Sequence, residues 1–140
     1  MTLTTPNILI IDDEEEICLN LREVLGFEGC DADYAVTAKN AFQKLEQKGY
    51  DLLLVDIKLE GRISGIDIIK SFRNKQERPK IIVISAIPLD GLEPSFQQEG
   101  ARSLIDGYLD KPTCSNPDKL MAVVRRVLGQ RSWKGIKDAE

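Results

Sequence analysis

The sequence predicts an α/β fold, a doubly wound parallel sheet of five strands with helices on both faces. Three observations carry this reading. Short apolar runs recur along the chain, segments with helical spacing lie between them, and the runs are continuously apolar instead of alternating. Unbroken apolar runs mark strands covered on both faces, the usual condition of a parallel sheet. Five βα units make an open sheet, because a closed barrel of this kind needs about eight.

Residues 8–11, Ile-Leu-Ile-Ile, form the first strand, and the more polar Asp31–Ala35 forms a second at an edge. Residues 52–55 and 81–84 supply the third and fourth, and Tyr108 with Leu109 a weaker fifth. Ile17, Leu21, Val24 and Leu25 recur at helical spacing between the first two strands, as do Ala38, Ala41, Phe42 and Leu45 in the next segment. Thr37 is the expected N-cap of that second helix and Gly49 its stop. Ile66, Ile69 and Phe72 mark a third helix, and Leu92, Phe96 and Ala101 a fourth. Asn116 followed by Pro117 opens the last helix, which runs through Leu128. The expected organisation is an extension over residues 1–6, one domain over 7–128 and a tail over 129–140 that carries Trp133 and Ile136.

Composition narrows the function. A chain of 140 residues that is 42% hydrophobic and 30% charged suits one folded domain and is too apolar to be disordered. The net charge of −4 lacks the clustered Lys and Arg that draw nucleic acid, so none is expected as a partner. No run reaches the length of a membrane span, and no basic-then-apolar leader precedes the domain, so a cytoplasmic protein without a membrane partner is expected. Cys18, Cys30 and Cys114 are odd in number and widely spaced, which suggests reduced thiols and neither a disulfide framework nor a zinc site. There is no histidine, so any chemistry must use carboxylates, hydroxyls or lysine.

Ligands of doubly wound sheets sit at the carboxyl ends of the strands. There the first strand ends in Asp12 and Asp13, the third in Asp56 and the fourth in Ser85, while Lys111 and Pro112 follow the fifth. An Asp or Ser after a strand is often only the N-cap of the next helix, and a lone Lys is usually a solvated charge. Four strands that carry reactive polar groups at one end are harder to ascribe to capping. Three converging carboxylates need a cation among them, and oxygen donors favour Mg²⁺ or Mn²⁺. An incoming phosphoryl group would place its oxygens on the metal, Lys111 and Ser85 while Asp56 attacks phosphorus. Glu14, Glu15 and Glu16 are read as first-turn residues favoured by the helix dipole, outside the site.

The segments Ile-Leu-Ile-Ile-Asp12-Asp13-Glu, Leu-Leu-Val-Asp56-Ile, Ile-Val-Ile-Ser85-Ala86 and Gly107-Tyr108-Leu109-Asp110-Lys111-Pro112 resemble the signatures of response-regulator receiver domains. The resemblance implies a flavodoxin-like fold of strand order 2-1-3-4-5 and a free-standing receiver of a two-component system. It implies Mg²⁺ held by Asp13, Asp56 and the main-chain carbonyl of Lys58, with Asp12 in support, and Asp56 as phosphoacceptor. Lys111 would pair with the phosphoryl group, Ser85 would move to bond it, and the Tyr108 ring would follow that movement. The implied partners are a histidine kinase or histidine phosphotransfer protein as donor and a downstream protein effector, for a monomer or weak dimer. Only self-catalysed phosphoryl transfer and hydrolysis at Asp56 are expected, with Lys58 and Ile87 tuning the lifetime.

Two departures from the family pattern carry expectations of their own. Glu60 stands where a proline is usual and Gly65 comes one residue late, so the loop after Asp56 should be reshaped. The stretch 102–106 is longer than the usual connection, so the fourth helix or its exit, and with it the partner face, should differ. Two other readings compete. A phosphorylation-independent interaction module should bind Mg²⁺ weakly, and a phosphatase of the haloacid dehalogenase type should carry Asp-x-Asp after the first strand, where this chain has an adjacent pair.

Overall fold

The computed structural model describes residues 5–59 and 64–129, which leaves the expectation for Glu60 and those for Trp133 and Ile136 outside the described residues. The order of elements is β1 (Asn7–Ile11), α1 (Glu15–Phe27), β2 (Asp31–Ala35), α2 (Ala38–Gln47), β3 (Leu52–Asp56) and α3 (Gly65–Lys70). There follow β4 (Lys80–Ser85), α4 (Leu89–Glu99), a 3-10 turn Arg102–Leu104, β5 (Gly107–Asp110), α5 (Lys111–Cys114) and α6 (Pro117–Leu128). The five strands form one parallel sheet of order β2-β1-β3-β4-β5, the flavodoxin-like order.

The continuous apolar runs have a simple cause. Strand side chains alternate between faces, and both faces are covered. Leu9, Ile11, Leu53, Val55, Ile81 and Val83 meet α2, α3 and α4 on one side. Ile8, Ile10, Leu52, Leu54, Ile82 and Ile84 meet α1 and α6 on the other. None of these twelve strand residues exceeds 1% exposure, so each deletes its water contact almost completely. The chain crosses the middle of the sheet between β1 and β3, whose register pairs Ile11 with Val55. That crossing brings Asp12 and Asp56 to the same edge.

Caps fix where the helices start. Thr37 accepts from the Asn40 amide at the head of α2, and Asn116 accepts from the Lys119 amide at the head of α6. Gly49 does not stop α2: the helix ends at Gln47 because Lys48 turns extended. The third helix is shorter than its apolar spacing suggests, ending at Lys70 and leaving Phe72 buried in the following turn. Its start is set by Asp67, whose Oδ2 accepts from the Ser64 amide at 2.9 Å and from the Ser64 hydroxyl at 3.3 Å. α4 ends at Gly100, whose φ of 70° is left-handed, so Ala101 lies beyond the helix although it is fully buried. The long connection foreseen over 102–106 begins with the 3-10 turn Arg102–Leu104 and continues extended at Ile105. A short helix the sequence reading did not separate, α5, forms because Asp110 caps the Thr113 amide and Pro112 sits in its first turn.

Candidate functional site

β1 delivers Asp12, which continues the strand by donating its amide to the Ala35 carbonyl at 3.1 Å. The side chain is fully buried. Its Oδ1 accepts from the Glu14 amide at 2.8 Å, so the carboxylate shapes the turn into α1. Asp56 closes β3 at 2% exposure, with Oδ1 accepting from the Lys58 amide at 3.1 Å. Behind it Gly65 is pressed so close that a Cβ there would lie 2.1 Å from the Asp56 carbonyl oxygen. Only glycine fits, and the Gly65 amide bonds the Ile57 carbonyl at 3.0 Å.

The capped turn of α5 aims Lys111 back across the sheet edge. Its Nζ lies 3.0 Å from Asp56 Oδ2, 3.3 Å from Asp12 Oδ2 and 3.5 Å from Glu14 Oε1. Ser85, 1% exposed at the end of β4, accepts the Ile87 amide on Oγ at 3.0 Å. Asp13, Glu14, Asp56, Lys58, Ser85, Ala86, Ile87 and Lys111 line one cavity of about 320 Å³ above Asp12. The site residues read from the sequence are thereby brought together: Asp12, Asp13, Asp56, Lys58, Ser85 and Lys111. Tyr108 stands outside that lining. Its half-buried ring lies on β5 beside Val83 of β4, and its hydroxyl donates a short hydrogen bond to the Ile87 carbonyl. It touches the cavity only through that loop.

The placement of Glu14 corrects the sequence reading. The helix starts at Glu15, so Glu14 is the N-cap residue; its carboxylate makes no cap bond and turns toward Lys111. Being 60% exposed it adds little energy, but it belongs to the wall of the site. The signal was the charge of Lys111, which sequence spacing alone could not connect to a residue 97 positions away.

Electrostatics explain why these groups sit together. Burial drives the Asp12 carboxyl up to about 6; the Glu14 amide opposes that rise, the Asp56 charge adds to it and Lys111 counters it. Burial also raises Asp56, against the hydrogen bond and charge of Lys111. For Lys111 burial disfavours the charge, but Asp56 and Asp12 outweigh it and hold the ammonium above its ordinary range. One cation is therefore shared by several acids.

The arrangement fits a divalent cation. Asp12, Asp13 and Asp56 each place an oxygen within 4.8 Å of the others. Three negative charges against the one of Lys111 leave a deficit of two. Asp12 Oδ2 is buried and makes no hydrogen bond, since its 3.3 Å contact to Lys111 has ion-pair distance without bonding geometry. A buried carboxylate oxygen left without a hydrogen bond beside two further carboxylates suits a hard ion with oxygen ligands.

The family model of the response regulator receiver domain matches residues 8–125. The phosphate regulon transcriptional regulatory protein PhoB of Rhizobium meliloti is 32% identical over 123 residues, 88% of this chain and 52% of its own length. The transcriptional regulatory protein CpxR of Escherichia coli is 33% identical over 130 residues, 90% of this chain and 50% of its own. This chain thus spans about half the length of these relatives. Among solved structures, the response regulator TrrA of Thermotoga maritima in complex with Mg²⁺-BeF superposes with a TM-score of 0.72 at 30% identity, over 88% of this chain and 99% of that one. A CheY-like receiver protein of Methanospirillum hungatei gives 0.75 at 28% identity, over 89% and 94%. Five strands in this order, with carboxylates, hydroxyl and lysine at one edge, agree with those matches: the chain belongs to the response regulator receiver domain family of two-component signalling.

Proposed function

We propose that residues 7–128 act as a phosphorylation switch in which Asp56 accepts a phosphoryl group from the histidine of a kinase or a phosphotransfer protein. The observation that carries the reading is the position of Asp56: nearly buried, yet lining a cavity and paired at 3.0 Å with Lys111. Asp12, Asp13, Asp56 and the main-chain carbonyl of Lys58 would hold Mg²⁺ or Mn²⁺. When bound, such an ion neutralises phosphate oxygens and orients them. A solved relative in complex with Mg²⁺-BeF supports this choice.

The chain's own residues do the rest. An Asp56 oxygen attacks phosphorus in line, the new O–P bond forms as the P–N bond to imidazole breaks, and the ring leaves with the electron pair. Lys111 gives up part of its hold on Asp56 and pairs with the transferred group. The Ser85 hydroxyl, now only an acceptor for the Ile87 amide, swings to donate to it, dragging the β4–α4 loop. Tyr108, bonded to the Ile87 carbonyl of that loop, follows and alters the face made by α4, β5 and α6 that a protein effector reads. Hydrolysis reverses the state, with the apolar Ile87 side chain limiting attacking water. Three buried free thiols suit action in the reducing cytoplasm.

Intact mass after incubation with acetyl phosphate and Mg²⁺ tests the proposal. Wild type should gain one phosphoryl group, and neither Asp56→Asn nor wild type in EDTA should. A wild type that binds Mg²⁺ with the affinity of Asp13→Ala and gains no mass would instead support a phosphorylation-independent interaction module.

A further inference from the structure

The groove between α1 and α6 lies away from the carboxylate site, and its makeup points to a particular occupant. Its volume is about 460 Å³, and its walls include Glu23, Val24, Phe27 and Glu28 from the α1 side with Asp118, Met121 and Arg125 from α6. Phe27 is 74% exposed at the end of α1, the largest exposure of a large apolar side chain among the described residues, with Leu19 next at 39%. Covering this ring together with the apolar side chains of the groove would take their surface out of water. The rim is acidic: Glu23, Glu28 and Asp118 stand against Arg125, which is paired with Glu28 at 2.5 Å.

We infer that this groove is covered by the chain's own segment 130–140, with Trp133 laid against Phe27. The sequence there reads Gln-Arg-Ser-Trp-Lys-Gly-Ile-Lys-Asp-Ala-Glu. Residues 131–137 carry three positive charges, Arg131, Lys134 and Lys137, interspersed with the apolar Trp133 and Ile136, and Asp138 and Glu140 come only after them. That mixture of basic and apolar side chains suits an acidic rim around a bare aromatic. Reach is satisfied as well. Gly129, at φ 74°, breaks α6 in a conformation that redirects the chain, while its amide still bonds the Arg125 carbonyl in the groove wall. Trp133 is four residues further on, up to about 13 Å of extended chain, more than the roughly 5 Å of the single helical turn between Gly129 and Arg125. The inference does not depend on the phosphorylation reading, because neither the groove nor the segment includes a residue of the carboxylate site.

Trp133 is the only tryptophan of the chain, so it reports its own position. The test is tryptophan emission and acrylamide quenching of the full chain, wild type against Phe27→Asp. Wild type should show blue-shifted, weakly quenched emission, and Phe27→Asp should shift it to the red and raise the quenching constant several-fold. Added salt should raise quenching in wild type, since the basic residues then lose their attraction to the rim. Because Phe27 is so exposed, Phe27→Asp leaves the core intact, which an unchanged circular dichroism spectrum checks. Wild-type emission like that of a free indole overturns the inference. So does protection of Trp133 that ignores Phe27→Asp, or protection that disappears on dilution and so comes from a second copy.

Discussion

The two halves of the sheet are built to different standards. Around β1 and β3 nearly everything is enclosed: all five residues of β3 are buried, and Asp12 and Asp56 are held by backbone amides from turns that follow at once. Around β5 only Leu109 of four strand residues is buried, and α4 rests on the buried side chains of Leu92 and Phe96. Pro94 inside α4 also withdraws the amide that would bond the Asp90 carbonyl. The carboxylates thus belong to the rigid half, while Tyr108 and the loop it grips belong to the half with fewer anchors. Local opening needs least free energy where buried apolar contacts are fewest, so this division suits the proposed switch, in which Asp56 stays fixed and Tyr108 moves.

Phe96→Ala presses hardest on that contrast. Emptying a fully buried aromatic site should lower the unfolding free energy in urea by about 3 to 4 kcal/mol. Amide exchange should accelerate across α4 while β1 and β3 stay protected; equal acceleration in both halves would break the comparison. Next is Gly65→Ala, where the new Cβ meets the Asp56 carbonyl at 2.1 Å and the turn behind Asp56 must shift. A loss of about 2 to 3 kcal/mol is expected, together with slower phosphoryl uptake from acetyl phosphate.

A smaller change of opposite sign sharpens the point. Asp12→Asn should raise the stability of metal-free protein by about 1 to 2 kcal/mol, since a carboxylate disfavoured first by desolvation and then by the Asp56 charge is removed, at the loss of its pairing with Lys111, and the bond from the Glu14 amide survives. The Asp12 carboxyl stands at 3.8 in its ordinary state and about 6 in the fold, so across that window the folded protein holds more protons than the unfolded chain. Stability in EDTA therefore falls as pH rises through the window, and Asp12→Asn should flatten this slope in thermal melts. Added Mg²⁺ should stabilise wild type at neutral pH and do less for the variant. The mildest change is Tyr108→Phe, which removes one hydrogen bond to the Ile87 carbonyl and should cost about 1 kcal/mol. Its informative readout is the NMR line width of the Ala86, Ile87 and Leu89 amides, which should broaden as the loop is released.

How much of this was legible in the sequence depends on range. Unbroken apolar runs announced doubly covered strands, and the carboxylates, serine and lysine that follow them could be placed at one edge before any coordinates. Thr37 and Asn116 declared their helices because a cap bond is local. The start of α3 was equally local, in the Ser64–Asp67 pair, but its few apolar residues drew attention instead. What stayed hidden depends on contacts between distant residues. Glu14 enters the site only because α5 points Lys111 at it, and the demand for glycine at 65 comes from the Asp56 carbonyl behind it. Gly49 misled for the opposite reason, since a glycine after a helix invites a left-handed stop that the extended Lys48 had already made unnecessary.

The three cysteines are buried, Cys18 and Cys114 almost completely. Burial pushes the Cys18 and Cys30 thiols up to about 12 and raises Cys114 as well, so hardly any thiolate exists at neutral pH while the chain is folded. Cys18 and Cys114 also donate to the backbone carbonyls of Asp12 and Lys111, directly beneath the carboxylate edge. An alkylating probe can then modify them only during excursions that expose the interior. The rate at which a thiol reagent consumes Cys18 and Cys114 is thus a built-in clock for how often the floor of the site opens, and it needs no engineered label.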